Sequence, residues 1–311
     1  MLSSNFRKAV LALIIANIIW GAAPPIFKWA LVDIGPFTLA FIRFFFGALI
    51  LLPFVYKNLK VEKQDWQRLA LISFFGITVN ISFFFIGLKN APSINAAIIA
   101  SAAPIFLIFG SVFFLRERPH RKNVIGALVG LMGVLIVLLA PLLKQGVGLA
   151  ANVAFAGNLF YIVAMLGSLS TPLIGKRLME KYQPLTIVFW SFLIGSVTFV
   201  PFFFNEMSKN HFQIALTTRS EVGIIFGVLF CSVGAYSLLY WSLKYLRAYD
   251  VGMFIYLDPL VTVIVAYPLL GEVPDLFFLV GAFLILSGIY VAEGRIHWHP
   301  LHLLFRNDDT L

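Results

Sequence analysis

PIFLIFGSVFFLRERPHRKNVIGALVGLMG, residues 104–133, and PLVTVIVAYPLLGEVPDLFFLVGAFLILSG, residues 259–288, carry one pattern twice. At an offset of 155 and without a gap, Pro104 falls on Pro259, Leu115 on Leu270, Glu117 on Glu272, Pro119 on Pro274, Gly126 on Gly281 and Gly133 on Gly288. Proline and glycine constrain the backbone in opposite ways. Their coincidence at one spacing therefore marks a duplicated unit, not merely shared apolar composition. Pro119 and Pro274 are well placed as first residues of a helix. Each copy thus reads as helix, short polar elbow, helix.

Working outward, an offset of 148 pairs Pro24 with Pro172, Lys28 with Lys176, Pro36 with Pro184, Thr38 with Thr186, Phe41 with Phe189, Gly47 with Gly195 and Pro53 with Pro201. The offsets differ by seven residues, which the polar stretch 206–220 can absorb. The duplication takes in nearly the whole chain.

Of the 311 residues, 60% are hydrophobic and 12% charged, and the mean hydropathy is +0.94. Soluble domains carry about 25% charged residues, so a soluble multidomain enzyme is excluded. Ten apolar stretches, 9–27, 34–56, 69–88, 90–115, 123–143, 145–175, 182–205, 222–243, 251–271 and 276–292, approach or exceed the ~20 residues that span a bilayer. Eight are free of charge, 34–56 contains only Arg43, and 251–271 contains only Asp258. None shows the alternation of barrel strands. The expected fold is an all-α membrane protein with ten transmembrane helices.

Alternate loops differ sharply in basic charge, with 17 Lys and Arg on one side and 5 on the other. Basic loops stay in the cytoplasm. Both termini are therefore expected there, in a multi-pass protein of the bacterial inner (plasma) membrane. The net charge of +9 has its source in these loops, so no nucleic-acid partner is expected. Cys231, the one cysteine, excludes an internal disulfide and a cysteine-based metal cluster. Arg7 and Lys8 precede an apolar run as in a signal peptide, but the run continues to Phe27 with no small-x-small cleavage site and reads as a retained span.

Five helices per copy, an odd number, insert the copies in opposite senses. The expected organisation is a first repeat at 9–143, a second at 145–292 and a cytoplasmic tail at 293–311. Inverted repeats characterise secondary transporters, which bind substrate near the midplane between the halves. The segment 91–137, with Pro104, Glu117-Arg118-Pro119 and the Gly126/Gly133 helix, and the segment 248–292, with Asp258-Pro259, Gly271-Glu272 and Gly281/Gly288, resemble the EamA domain of the drug/metabolite transporter superfamily. Trp20-Gly21 and Arg43 match its habits. Carried by two tandem copies, the resemblance implies a carrier of small organic metabolites that works by alternating access. Members handle amino acids, nucleosides, drugs and other solutes, and export is the expected direction.

Polar residues recur at helical spacing: Asn17, Trp20, Pro24 and Lys28 on the first span; Gly76, Asn80, Phe83 and Gly87 on the third; Asn158, Tyr161, Met165 and Ser168 on the sixth; Ser232, Tyr236 and Tyr240 on the eighth. Polar side chains avoid lipid, so these faces should point into the bundle. Positions that break the repeat's symmetry are the better binding candidates. Trp20 faces Ser168 in the alignment, Asn80 faces Ala235, Tyr256 faces Ser101, and Asp258 faces Ala103. The candidate substrate-binding set is Asn17, Trp20, Asn80, Asn158, Tyr161, Tyr236, Tyr240, Tyr256 and Asp258. Pro104 and Pro259, read as mid-helix prolines that free a carbonyl, are the candidate hinges. Asp258 would hold an amino group or a coupling proton, unless it is spent on a salt bridge with Arg43.

Glu117 and Glu272 read as structural, each near the positive start of the next helix. His297, His299 and His302, beside Trp298, read as an interfacial tail, and no metal site or cofactor is expected. The chain has no Walker loop, GxGxxG, HExxH or GxSxG, so no enzyme chemistry is expected. Two other readings stand beside metabolite transport. One is a carrier of phosphorylated solutes such as nucleotide sugars, which clustered basic groups would mark and which Arg43 alone inside the membrane disfavours. The other is an intramembrane enzyme or non-transporting scaffold, which a polar interior without a nucleophile disfavours.

Overall fold

The computed structural model describes residues 4–115, 120–209, 216–242, 245 and 253–293. The expected tail, Glu117, and the side chains of Tyr240 and Lys176 lie outside the described residues. Among those described, every regular element is a helix. Seven helical stretches, Phe6–Ala30, Pro36–Asn58, Lys63–Asn90, Arg121–Gln145, Leu149–Ile174, Pro184–Lys209 and Thr218–Leu239, are long and apolar enough to cross a membrane. Phe254–Leu270 and Leu276–Ala292 are shorter apolar helices. The chain is an integral, multi-pass, all-helical membrane protein.

Chain order runs α1 (Ser4–Ala30), α2 (Pro36–Val55), α3 (Trp66–Ser73), a π-helical stretch Phe74–Val79, α4 (Asn80–Asn90), α5 (Ser93–Ser101), α6 (Ala103–Leu115) and α7 (Arg121–Gln145). It continues with α8 (Leu149–Ser168), α9 (Ser170–Ile174), α10 (Lys176–Lys181), α11 (Pro184–Lys209), α12 (Thr218–Ile225), a π-helical stretch Phe226–Ala235 and α13 (Tyr236–Ser242). A 3-10 turn, Met253–Tyr256, leads into α14 (Leu257–Leu270), and α15 (Leu276–Glu293) ends the described bundle.

The expected fourth span is not one helix. It breaks at Ala102, where the amide of Ala102 bonds Ile99 O and that of Ile105 bonds Ala102 O, both three residues back. The ninth changes from 3-10 to α at the equivalent place, Leu257, which is Ala102 advanced by 155. Pro104 and Pro259 are accordingly not the mid-helix prolines that the apolar runs led one to expect. They stand second in α6 and third in α14, where amides have no intrahelical acceptor and the missing N–H costs nothing.

The four most extensive helix pairs, α7 with α15, α2 with α11, α1 with α14 and α4 with α8, each join the first half of the chain to the second. Lipid tails are as apolar as leucine, so close van der Waals fit drives such pairing. Glycines supply it between α7 and α15. A Cβ on Gly126 would overlap Gly288 O and Ala292 N, and one on Gly288 would overlap the backbone at Gly126 and Gly130. The small-residue stripes thus pack within the chain. Between α2 and α11 the fit is aromatic, with Phe44 against Phe192 at 5.1 Å and Phe41 stacked on Phe203 at 4.6 Å.

Candidate functional site

A cavity of about 260 Å³ lies among α1, α2, α4, α5, the start of α6, α8, α13, the 3-10 turn and α14, so both halves of the chain wall it. It brings together Trp20, Asn80, Tyr161, Tyr236 and Asp258 from the expected set, and adds Arg43, Ser101 and Ser168. The two π-helical stretches end immediately before Asn80 and Tyr236. π-Helical turns recur at functional sites, where the extra residue re-aims the side chains of the next turn.

Asp258 owes its position to Gly21. A Cβ there would fall within 3 Å of Asp258 O and Val261, so only glycine lets α1 and α14 meet this closely. Thr262 stitches the contact, its hydroxyl lying 2.5 Å from Gly21 O and 2.8 Å from Asp258 O. The carboxylate lies in the first turn of α14, where the helix dipole favours negative charge. Oδ1 is buried and has no hydrogen-bond partner among the described residues.

Arg43 is 5% exposed. Its Nε–H donates to Ser232 Oγ at 3.0 Å, and its guanidinium carbon lies 5.1 Å from the Phe27 ring centroid and 4.9 Å from that of Phe44. Ring faces partly replace lost hydration of a cation. Among the described residues no salt bridge joins Arg43 to Asp258, so pairing with Arg43 does not account for the acid. One cavity therefore holds a carboxylate and a guanidinium that do not neutralise each other.

Around this pair the walls are fixed. Trp20 meets Tyr236 edge-on at 5.3 Å. Asn80 Nδ2 donates to Ala164 O at 2.6 Å, and Tyr161 OH donates to the carbonyls of Ala91 and Pro92 at 3.3 and 3.2 Å. Asn17, Asn158 and Tyr256 fall elsewhere. Asn17 donates to Leu13 O on its own helix. Asn158, fully buried, accepts from Asn95 Nδ2 and donates to Val137 O, so it joins helices rather than facing the cavity. Tyr256 ends the 3-10 turn and packs on the hydrophobic core. The sequence reading missed the alanine face at Ala96, Ala97, Ala100 and Ala103, whose small side chains help leave the space open. The run of small residues over 96–103 was the available signal.

At one end of the bundle, Glu272 ties three segments together. It accepts from Lys28 Nζ at 2.8 Å, Ser93 Oγ at 2.7 Å and the amides of Ser93 and Ile94 at 3.0 and 3.2 Å, while Lys28 also donates to Ala91 O at 2.7 Å. Glu272 therefore caps α5, not the helix that comes after it. Asp275 caps that helix, α15, by accepting from Phe278 N. Glu206 likewise accepts from the amides of Phe37 and Thr38 at the start of α2. Glu272→Ala leaves Ser93 Oγ and two helix-start amides without their acceptor and Lys28 with Ala91 O alone. A cost of about 1–3 kcal/mol is expected, seen as a lower melting temperature in detergent, with Glu272→Gln recovering part of it.

The model of the EamA-like transporter family matches residues 7–139 and again 155–293. A protein of Archaeoglobus fulgidus named an uncharacterized transporter is 24% identical over 293 residues, covering 93% of this chain and 99% of its own. The S-adenosylmethionine uptake transporter of Rickettsia bellii is 28% identical over 257 residues, covering 80% of this chain and 81% of its own. A solved crystal structure superposes with a TM-score of 0.59 at 18% identity, over 91% of this chain and 96% of that one, a likeness of fold alone. With the family model matched in both halves around a shared central cavity, the chain belongs to the EamA-like transporter family.

Proposed function

We propose that the protein is a secondary active transporter of small organic metabolites bearing an amino group and a carboxylate, amino acids or related solutes, moved by alternating access. The observation that carries the reading is the unpartnered Asp258 Oδ1 in the same cavity as Arg43. An ammonium suits the first and a carboxylate the second. At about 30 Å³ per water, the cavity holds roughly nine waters, the bulk of a solute of about ten heavy atoms. A nucleotide sugar is larger and needs clustered basic groups where this cavity holds one guanidinium. S-adenosylmethionine, named for the Rickettsia relatives, carries both charges but is far larger than this cavity, so it is tested as the large extreme, which only a widened cavity would admit.

In this reading ten helices form two inverted repeats, 9–143 and 145–292, with the cavity between them and Pro104 and Pro259 at the helix breaks where the halves flex. Both termini are cytoplasmic in the inner membrane, and the Lys28–Glu272–Ser93 network closes the outer end. Asp258 carries either the substrate's ammonium or the coupling proton. Thermal-shift screening of purified protein against amino acids, S-adenosylmethionine, nucleosides and cationic drugs, followed by counterflow in proteoliposomes for each hit, tests the function. Stabilisation by ligand follows mass action. Absence of uptake for every solute class, in either direction, would overturn it.

Orientation has its own test. Cys231 is fully buried and should stay silent. Val147→Cys and Ser208→Cys, both at exposed positions, should react with an impermeant thiol reagent added outside intact cells, whereas Lys60→Cys and Glu180→Cys should react only after permeabilisation. The reverse pattern would invert the topology.

A further inference from the structure

Among the described residues, two buried side-chain atoms lack a hydrogen-bond partner, Asp258 Oδ1 and Ser170 Oγ. The first lies in the central cavity. The second lines another cavity, of about 800 Å³, between the α3–α4 stretch on one side and α8–α10 on the other. Gly76 and Gly167 bring these walls together. A Cβ on Gly167 would meet Phe75 O at 2.7 Å, and one on Gly76 would meet the hydroxyls of Thr171 and Ser170.

This cavity is amphipathic along its length. Arg68 and Arg177 stand at one end, and Phe75, Val79, Val163 and Leu166 line the rest. Phe75 and Leu166 are 41% and 45% exposed, so the cavity opens toward the surface that apolar side chains face. Neither arginine forms an ion pair among the described residues. Asp65, the acid nearest Arg68 in sequence, is occupied by Lys181 and Tyr182 at 2.7 and 2.6 Å. From Arg68 to Val79 the wall runs eleven residues, about 16 Å at helical rise, half of a ~30 Å hydrocarbon core. That is the depth of one leaflet.

We propose that this cavity is a binding site for an anionic glycerophospholipid. Arg68 and Arg177 take the phosphate, Ser170 offers its free hydroxyl to the glycerol ester region, and an acyl chain lies along Phe75, Val79, Val163 and Leu166. Basic pockets between membrane helices hold anionic headgroups by this division of labour. Placement in the cytoplasmic leaflet rests on the orientation proposed above; the site itself does not, and it is independent of the transported solute.

The test is lipid retention by native mass spectrometry of detergent-purified protein offered phosphatidylglycerol or phosphatidylcholine. Wild type should keep phosphatidylglycerol in preference to phosphatidylcholine, and the Arg68→Gln/Arg177→Gln double variant should lose at least about tenfold of it. Lys57→Gln, an exposed lysine outside the cavity, should retain it. If the double variant does not fold, Arg177→Gln alone, at an exposed position, should still lower retention severalfold. Inorganic phosphate and glycerol phosphate should fail to displace the lipid. Equal retention of the two lipids, no loss in either variant, or displacement by soluble phosphate, which would mark a solute site, overturns the proposal.

Discussion

Asp258→Asn is expected to abolish transport, or strip it of its pH dependence, while the melting temperature of the purified protein stays close to that of the parent. The substitution keeps the side chain's shape and removes its charge. Since Oδ1 makes no hydrogen bond among the described residues, little structure is lost with it. Removing one member of a buried charge contact with a ligand costs about 2–5 kcal/mol, roughly several hundredfold in uptake efficiency at the middle of that range. Uptake in proteoliposomes at several pH values on either side of neutrality is the measurement. Unchanged rates at all of them would show that Asp258 neither binds substrate nor carries a proton. Arg43→Gln should weaken uptake of zwitterions more than that of simple amines, because its guanidinium is assigned to the carboxylate.

The second large effect is structural. Gly126→Leu should prevent recovery of monodisperse protein, and Gly126→Ala should lower the melting temperature by several degrees. At this point the neighbours are the backbone at Gly288 and Ala292, which cannot swing aside as a side chain can. Overpacking a fitted core costs about 1–3 kcal/mol, occasionally more. The α7–α15 contact would have to open along its length to admit leucine. Gly148→Ala is the control, since a Cβ there meets nothing within 4 Å. Equal melting temperatures for Gly126→Ala and Gly148→Ala would mean that the two helices do not meet as described.

The repeat, the helical class and the family resemblance were legible in the sequence because they rest on local chemistry. Apolar runs of bilayer length can satisfy their backbone only as helices or closed barrels, and the proline and glycine coincidences survive in any packing. Of the eight proposed binding residues whose side chains are described, five line one cavity for the same reason: polar groups on a membrane helix must turn inward. Inward, however, has two meanings that sequence does not separate. Asn158 and Asn17 turn inward to bond Val137, Asn95 and Leu13, while Asn80, no more polar, stands at the cavity wall.

Only the tertiary structure decided which of these apolar runs are interrupted, and where. The break at Ala102, the 3-10 turn before Leu257 and the π-helical stretches before Asn80 and Tyr236 are invisible to hydropathy, because each preserves composition while changing the register of the helix beyond it. Tertiary structure also decided the partners of the charges. Lys28 and Glu272 are 244 residues apart yet 2.8 Å from each other, whereas Arg43 and Asp258 share a cavity without pairing. Composition and spacing determine that a charge within the bundle must be compensated; only the packing of distant helices determines whether the compensating group belongs to the protein or is left for a ligand to supply.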